Sequence, residues 1–292
     1  MLTQSSSFPE VDLHCHTTSS DGLFTPRGLI QEASKLGLKA VGITDHDTIS
    51  GWGEGLKAGE EYGVEILRGI ELNTEWQGLE VHILGYEPDP ESGQFQEKLQ
   101  ELREARIRRM LKILGRLHDL KIEITVEEIK AIALGESVGR PHVAQALMQR
   151  GYVKTIKEAF DSYIGIGALA YIPRLKLTPE EGIKLIRTAG GVAVLAHPGV
   201  HQLRNQISSW VKVGLQGIEV SHSEHTPEDE RDYSIIAEQF HLIKTGGSDF
   251  HGEERKPEVK LGGWGVSYEV VKQIRQLAIS QKGKANLLPM EF

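Results

Sequence analysis

The sequence predicts an α/β fold, a distorted (β/α)7 barrel interrupted by a small all-helical insertion, and three observations carry that reading. Apolar runs of strand length recur about seven times, most of them followed by a helix-start signal. Histidines and acids stand where these runs stop, at His14-Cys15-His16, Asp45-His46-Asp47, Glu71, His82, His197 and Asp249-Phe250-His251. Between the fourth and fifth runs the rhythm breaks into several helical stretches with no strand among them. A doubly wound open sheet is the structural alternative, because a strand count does not say whether the edges meet.

The first run, Val11-Asp12-Leu13, leads to His14, and Thr25-Pro26 then opens a helix carrying Leu29, Ile30, Ala33 and Leu36. Thr caps free amides, Pro is tolerated in the first turn, and Gly37 supplies a stop. Ala40-Val41-Gly42-Ile43 is the second strand and Glu65 to Ile70 the third, followed by Glu71. Glu80-Val81-His82-Ile83-Leu84 is the fourth, and such continuous apolar runs are expected to be buried parallel strands. From Gln94 to about Leu117 a long charged amphipathic helix is expected, with Leu99, Leu102, Met110 and Leu114 on its apolar face. Thr125 with Glu128 and Thr155 with Glu158 have capping-box spacing, and Arg140-Pro141-His142 opens a helix between them. The βα rhythm resumes with Thr178-Pro179, Val192 to Ala196 before His197, Gly217 to Val220, Thr226-Pro227 and Leu242 to Gly246. The expected division is residues 8–92 and 171–292 for the barrel and 93–170 for the insertion.

Composition narrows the classes of function. Hydrophobic residues make up 39% of the 292 and charged residues 25%, as in an ordinary globular protein. A formal charge of -8 speaks against a broad basic face for long duplex nucleic acid, though metal ions can reverse the field inside a pocket. No apolar run approaches the roughly 20 residues that span a bilayer, and the N-terminal stretch lacks signal-peptide organisation, so no membrane partner is expected. One cysteine, Cys15, allows no internal disulfide and fits a cytoplasmic protein. Flanked by two histidines on an alternating strand, Cys15 should face away from them and play a buried structural part.

His14 and His16 leave one face of an extended strand end, which suits them to hold one ion. His46, Glu71 and His82 at successive strands, with His197, Asp249 and His251 farther on, make coincidence a poor account. The donors are nitrogen and oxygen without a cysteine cluster, which favours Mn²⁺, Fe²⁺ or Zn²⁺ over an iron–sulfur centre. A carboxylate such as Glu71 could bridge two ions, and phosphorus is the electrophile such a centre suits. Gly246-Gly247 has no Rossmann or phosphate-loop context, so nicotinamide or ATP dependence is not expected. His118, His201 and His241 lack convergent placement and are expected in structural or surface roles.

The order of these motifs resembles the polymerase-and-histidinol-phosphatase (PHP) superfamily. The stretches that carry the resemblance are Asp12 to Gly22, Ile43-Thr44-Asp45-His46-Asp47, Gly69-Ile70-Glu71, Val81-His82, Ala196-His197-Pro198 and Gly246 to Gly252. Asp21, where some members use histidine, and Gly139-Arg140-Pro141-His142 in the insertion look like the TrpH-like branch, whose members include nucleoside 3',5'-bisphosphate phosphatases and 5'-to-3' exonucleases of short RNA. The resemblance implies a barrel of PHP type holding two or three divalent ions, Mn²⁺ first. His14, His16, Glu71 and Asp249 would hold one ion, Asp21, His46 and His251 the second, and Glu71, His82 and His197 the third. Arg140 and His142 would meet the phosphate, with Arg174, Lys176, Ser223 and His225 as further contacts. Arg140 and His225 would also assist the chemistry, His225 by helping the leaving oxygen.

The expected function is therefore metal-dependent hydrolysis of a terminal phosphate of a nucleoside 3',5'-bisphosphate by hydroxide supplied at the metal centre. A 5'-to-3' exonuclease acting on phosphorylated short RNA is the near rival. Histidinol phosphate hydrolysis, a non-catalytic nucleotide-binding protein and a polymerase-associated module are the remaining alternatives.

Overall fold

The computed structural model describes residues 9–133, 135, 137–173 and 177–285. Seven strands follow one another in chain order around a single sheet: β1 (Val11–Cys15), β2 (Ala40–Ile43), β3 (Glu65–Trp76), β4 (Leu79–Tyr86), β5 (Val192–Leu195), β6 (Gly217–His222) and β7 (Ile243–Gly247). The ring is nearly closed where the His16 N–H donates to Phe250 O at 2.9 Å and the Phe250 N–H donates to His14 O at 3.3 Å, bringing the first strand against the chain that leaves the last. A distorted barrel results, and it accounts for an apolar run that is buried on both faces of nearly every strand.

One strand runs against expectation. β4 is antiparallel to both β3 and β5, whereas the other neighbouring pairs are parallel. The cause is local: Gln77 and Gly78, at φ 50° and 86°, make a two-residue turn of the kind that folds a hairpin. A consequence for the site follows. The parallel strands reach the functional rim with their C-terminal ends, but β4 reaches it with its N-terminal half, which is where His82 sits.

Helices fill the connections as their caps dictate. α1 (Pro26–Lys35), α2 (Trp52–Tyr62), α7 (Pro179–Thr188), α8 (Ile207–Lys212) and α9 (Pro227–Gln239) lie in the βα part. Thr25, Thr178 and Thr226 each accept the backbone N–H three residues ahead, which satisfies an amide the helix leaves unpaired. α10 (Tyr268–Ala285) packs Val271 and Ile274 against a core shared by Val11, Leu13, Leu67, Leu84 and Val194. Among the described residues no helix is long and apolar enough to cross a membrane.

The inserted helices are α3 (Gly93–Asp119), α4 (Val126–Ile132), α5 (Arg140–Gln149) and α6 (Ile156–Ala159), the last continuing as a π-helical turn at Phe160–Ile164. Thr125 and Glu128 form a reciprocal capping box, as their spacing predicts. α3 serves two cores. Phe95, Leu99 and Leu102 pack with barrel residues such as Ile70 and Val81, while Met110, Ile113 and Leu117 pack with Ile129, Val143 and Leu147. The long helix is thus the beam that fixes the inserted helices to the barrel. A charged clamp reinforces it: Arg106 Nε and a terminal nitrogen lie 2.8 Å and 2.6 Å from Asp47 Oδ2.

Candidate metal centre

The chain places nine of the expected donors around one rim. His14 Nε2 stands 3.4 Å from both Glu71 Oε2 and Asp249 Oδ1, and His16 Nε2 stands 3.2 Å and 3.1 Å from the same two oxygens. Four ligands about 2.1 Å from a tetrahedral ion would be roughly 3.4 Å apart, so these donors have the spacing an ion requires. A second group forms around Asp21 Oδ1, with His251 Nε2 at 3.4 Å and His46 Nε2 and His16 Nδ1 each at 3.9 Å. A third gathers on the other oxygen of Glu71, where His82 Nδ1 is 2.7 Å and His197 Nε2 3.2 Å from Oε1. Glu71 therefore offers one oxygen to each of two groups, the posture of a bridging carboxylate.

The test of fit is chemical as well as geometric. His14 Nε2, His16 Nε2, Asp21 Oδ1 and Glu71 Oε2 are buried and lack a hydrogen-bond partner. Leaving such atoms unsatisfied costs about 1–3 kcal/mol each, and atoms of both sign converging on common points are satisfied together by cations. With nitrogen and oxygen donors and no thiolate, the set suits divalent ions of borderline hardness.

Local structure aims these side chains. β1 carries His14 inward, and Glu219 of β6 takes its other nitrogen, Nδ1, at 3.1 Å. Glu219 also accepts the His197 backbone N–H at 2.9 Å. Asp45 accepts Thr17 N–H, Thr17 Oγ1 and Ser20 Oγ at 2.8, 2.7 and 2.6 Å, bracing the loop that presents Asp21. Asp12 accepts Ser248 N–H and Oγ at 2.9 and 2.5 Å, tying β1 to the turn before Asp249. His197 and Asp249 both have positive φ, 27° and 57°, a costly backbone for residues with side chains and one that clusters at functional sites. Gly247 has no room for anything larger, since a Cβ there would stand 2.4 Å from His14 N.

The groups titrate as a coupled set. Burial pushes the Glu71 carboxyl up, but the imidazoles of His82, His46 and His14 outweigh it and hold it well below the carboxylate range. Burial likewise opposes charge on His14, yet Glu219, Glu71 and Asp249 carry it well above the ordinary imidazole value. Asp249 is held low against burial by Lys256, His251 and His14. Cys15, by contrast, packs among Leu29, Ile30 and Phe250, and burial raises its thiol far from reactivity.

Above the donors lies a cavity of about 470 Å³, with Asp21, His46, Glu71, His82, Asp249 and His251 in its lining. Pro141, Met148, Ile156 and Phe160 of the insertion form an apolar wall. The expected phosphate contacts fall less tidily. Arg140 bonds Glu80 Oε2 at 3.1 Å and covers the Phe160 ring at 5.4 Å, so it stands behind the wall. His142 is buried and accepts the Gly139 N–H at 3.0 Å. His225 is committed on both sides, Nδ1 to Val220 O at 2.8 Å and Nε2 to the Gly199 N–H at 3.0 Å. A ring so used is a clamp on the turn after His197, and neither nitrogen is left for a phosphate or a leaving oxygen. Ser223 Oγ is buried without a hydrogen bond, and Arg174 and Lys176 lie outside the described residues.

Sequence reasoning missed Glu219, Arg106, Arg255 and Lys256, and it set His201 apart, although His201, Arg255 and Lys256 line the cavity. Glu219 had a legible signal, an acid inside the apolar run from Gly217 to Val220. His222, also buried, lies with its Nε2 4.0 Å from Glu219 Oε2, and burial pulls its imidazole down to about 3.

Comparison with known proteins agrees with this geometry. The PHP domain profile matches residues 12–167. A 5'-3' exoribonuclease of Haemophilus influenzae is 34% identical over 82% of this chain and 89% of its own length. A 3',5'-nucleoside bisphosphate phosphatase of Chromobacterium violaceum is 30% identical over 82% of the chain and 87% of its own length. A crystal structure from Bifidobacterium adolescentis, assigned provisionally as a metal-dependent phosphoesterase, superposes with a TM-score of 0.85 at 36% identity, covering 91% of this chain and 96% of that one.

Proposed function

The chain belongs to the PHP domain family and is a metal-dependent phosphoesterase, and from that premise we propose that it is a 5'-to-3' exoribonuclease of short 5'-phosphorylated RNA. The observation that carries the hydrolytic part is the convergence of buried, partnerless imidazole and carboxylate atoms on one rim. In this reading His14, His16, Glu71 and Asp249 hold one ion, Asp21, His46 and His251 a second, and Glu71, His82 and His197 a third. When bound, such ions supply Lewis acidity toward phosphoryl oxygens and make water a competent nucleophile near neutral pH. Mn²⁺ is the first choice for the donor set, with Fe²⁺ and Zn²⁺ compatible.

The protein's own part is to aim and to enclose. Glu219 orients His14, Asp45 and Asp12 fix the loops that carry Asp21 and Asp249, and Arg106 binds the insertion to Asp47. The wall of Pro141, Met148, Ile156 and Phe160 offers an apolar face to a nucleobase, and the Arg140 guanidinium backs the Phe160 ring. Stacking on such a face recognises any base, a tolerance needed by an enzyme that removes successive nucleotides. The exoribonuclease relatives, at up to 34% identity, favour this substrate over the bisphosphate that the sequence alone puts first. The bisphosphate phosphatase remains the second reading, supported by the relative at 30% identity.

Metal-loaded protein incubated with 5'-phosphorylated RNA of three to five nucleotides, the matching 5'-hydroxyl RNA and adenosine 3',5'-bisphosphate separates the two. Stepwise release of nucleoside monophosphates from phosphorylated RNA is the expected result. Intact RNA beside phosphate released from the bisphosphate would replace the exoribonuclease with the phosphatase.

A further inference from the structure

Among the described residues, every Lys or Arg lining the cavity comes from one short stretch, Arg255 and Lys256, on the loop that follows Asp249-Phe250-His251. The remaining charged lining is imidazole or acid, with Glu80, Glu224 and Glu254 adding to the donor carboxylates. A phosphate entering here meets many anions, so a fixed cation beside the donor cluster has large leverage over its binding.

The two cations are held differently. Lys256 Nζ lies 2.6 Å from Asp249 Oδ2, the oxygen not shared with His14 and His16. Arg255 reaches from the barrel loop to the insertion, where a terminal nitrogen donates to Gln145 Oε1 at 3.3 Å. Gln145 is on α5 and lines the same cavity. Arg255 Nε is buried and has no hydrogen-bond partner. A guanidinium fixed at one nitrogen with its buried Nε–H left unpaired is half of a bidentate site, and phosphate oxygens match that fork.

We propose that Arg255 is a phosphate-binding residue: its unpaired Nε–H takes a nonbridging oxygen of the substrate phosphate, Gln145 holds the fork in orientation, and Lys256 neutralises Asp249 beside it. The proposal deepens the phosphoesterase reading and rests on it. It places the anion's grip at the seam between barrel loop and inserted helix, so that neither part binds phosphate fully without the other.

The test uses Mn²⁺-loaded wild type, Arg255→Gln, Arg255→Lys and Gln145→Ala, with inorganic phosphate titrated calorimetrically and metal per chain measured in each. Arg255→Gln is expected to weaken phosphate binding at least tenfold with metal content unchanged, Arg255→Lys to recover part of it, and Gln145→Ala to lose less. On phosphorylated RNA the same variant should raise KM more than it lowers kcat. Wild-type phosphate affinity in Arg255→Gln overturns the proposal, as does loss of metal in parallel with phosphate, which would mark a purely structural role. If the wild type binds phosphate through Arg255 yet cleaves neither RNA nor bisphosphate, the subsite stands and the substrate reading falls.

Discussion

Glu219 Oε1 lies 3.1 Å from His14 Nδ1, and that contact turns the opposite nitrogen, Nε2, toward Glu71 and Asp249. Both residues are fully buried, so no water competes for the imidazole. Partners of this kind fix the tautomer of a ligating histidine, and removing them typically lowers metal affinity 10–100-fold. Glu219→Gln is therefore expected to fold but to release metal to a competing chelator at concentrations about tenfold or more below those needed for wild type. Unchanged retention in that competition would reduce Glu219 to a packing residue.

Metal uptake should release protons. Burial opposes charge on His14, His16 and His197, but the surrounding carboxylates prevail and raise all three above the ordinary value of 6.5. In metal-free protein these imidazoles add stability that is fully present below pH 6.5 and is lost as pH rises through their folded values, and metal that binds displaces their protons and takes over the carboxylates. Calorimetry of Mn²⁺ binding near pH 7 in two buffers of different ionisation heat should give different apparent enthalpies. Identical enthalpies would mean that the donors are already deprotonated.

His142 has the opposite sign. Burial pulls its imidazole from 6.5 down to about 4. Between those values the unfolded chain binds a proton that the folded protein refuses, so stability is complete above pH 6.5 and falls as pH drops toward 4. The gap corresponds to on the order of 3 kcal/mol. Urea unfolding of metal-free wild type and His142→Gln between pH 7 and 4.5 should show a shallower pH dependence in the variant. Parallel curves would contradict the neutral buried imidazole.

Closure of the barrel has its own probe. A Cβ on Gly247 would stand 2.4 Å from both His14 N and His14 Cβ, which are backbone or nearly so and cannot swing away. Gly247→Ala should cost at least about 1–3 kcal/mol, the range for overpacking, and should lower metal content because His14 must move. Thermal melting with metal analysis reads both. A variant equal to wild type in each would show that β7 and β1 do not meet as closely as described.

Much of the candidate site was legible because its candidate donors are single residues at strand ends. His14, His16, His46, His197, Asp249 and His251 follow apolar runs, and Glu71 and His82 stand within or beside them. The choice between a nucleoside bisphosphate and short RNA was not legible, since no residue type reports how far a pocket extends along RNA. His225 misled for a related reason: a histidine after a strand looks like a donor until both nitrogens are seen bonded to Val220 and Gly199.

By itself the sequence determined which elements form and which donors they carry, because periodicity and caps act over a few residues. Apolar runs report burial and not direction, so the antiparallel course of β4 emerged only with the structure, where the local turn at Gln77-Gly78 reverses the chain. Only the tertiary structure decided the pairing of Glu219 with His14, 205 residues apart, and of Arg255 with Gln145. Such contacts exist only after barrel closure brings distant segments within hydrogen-bond reach, and no local pattern encodes them.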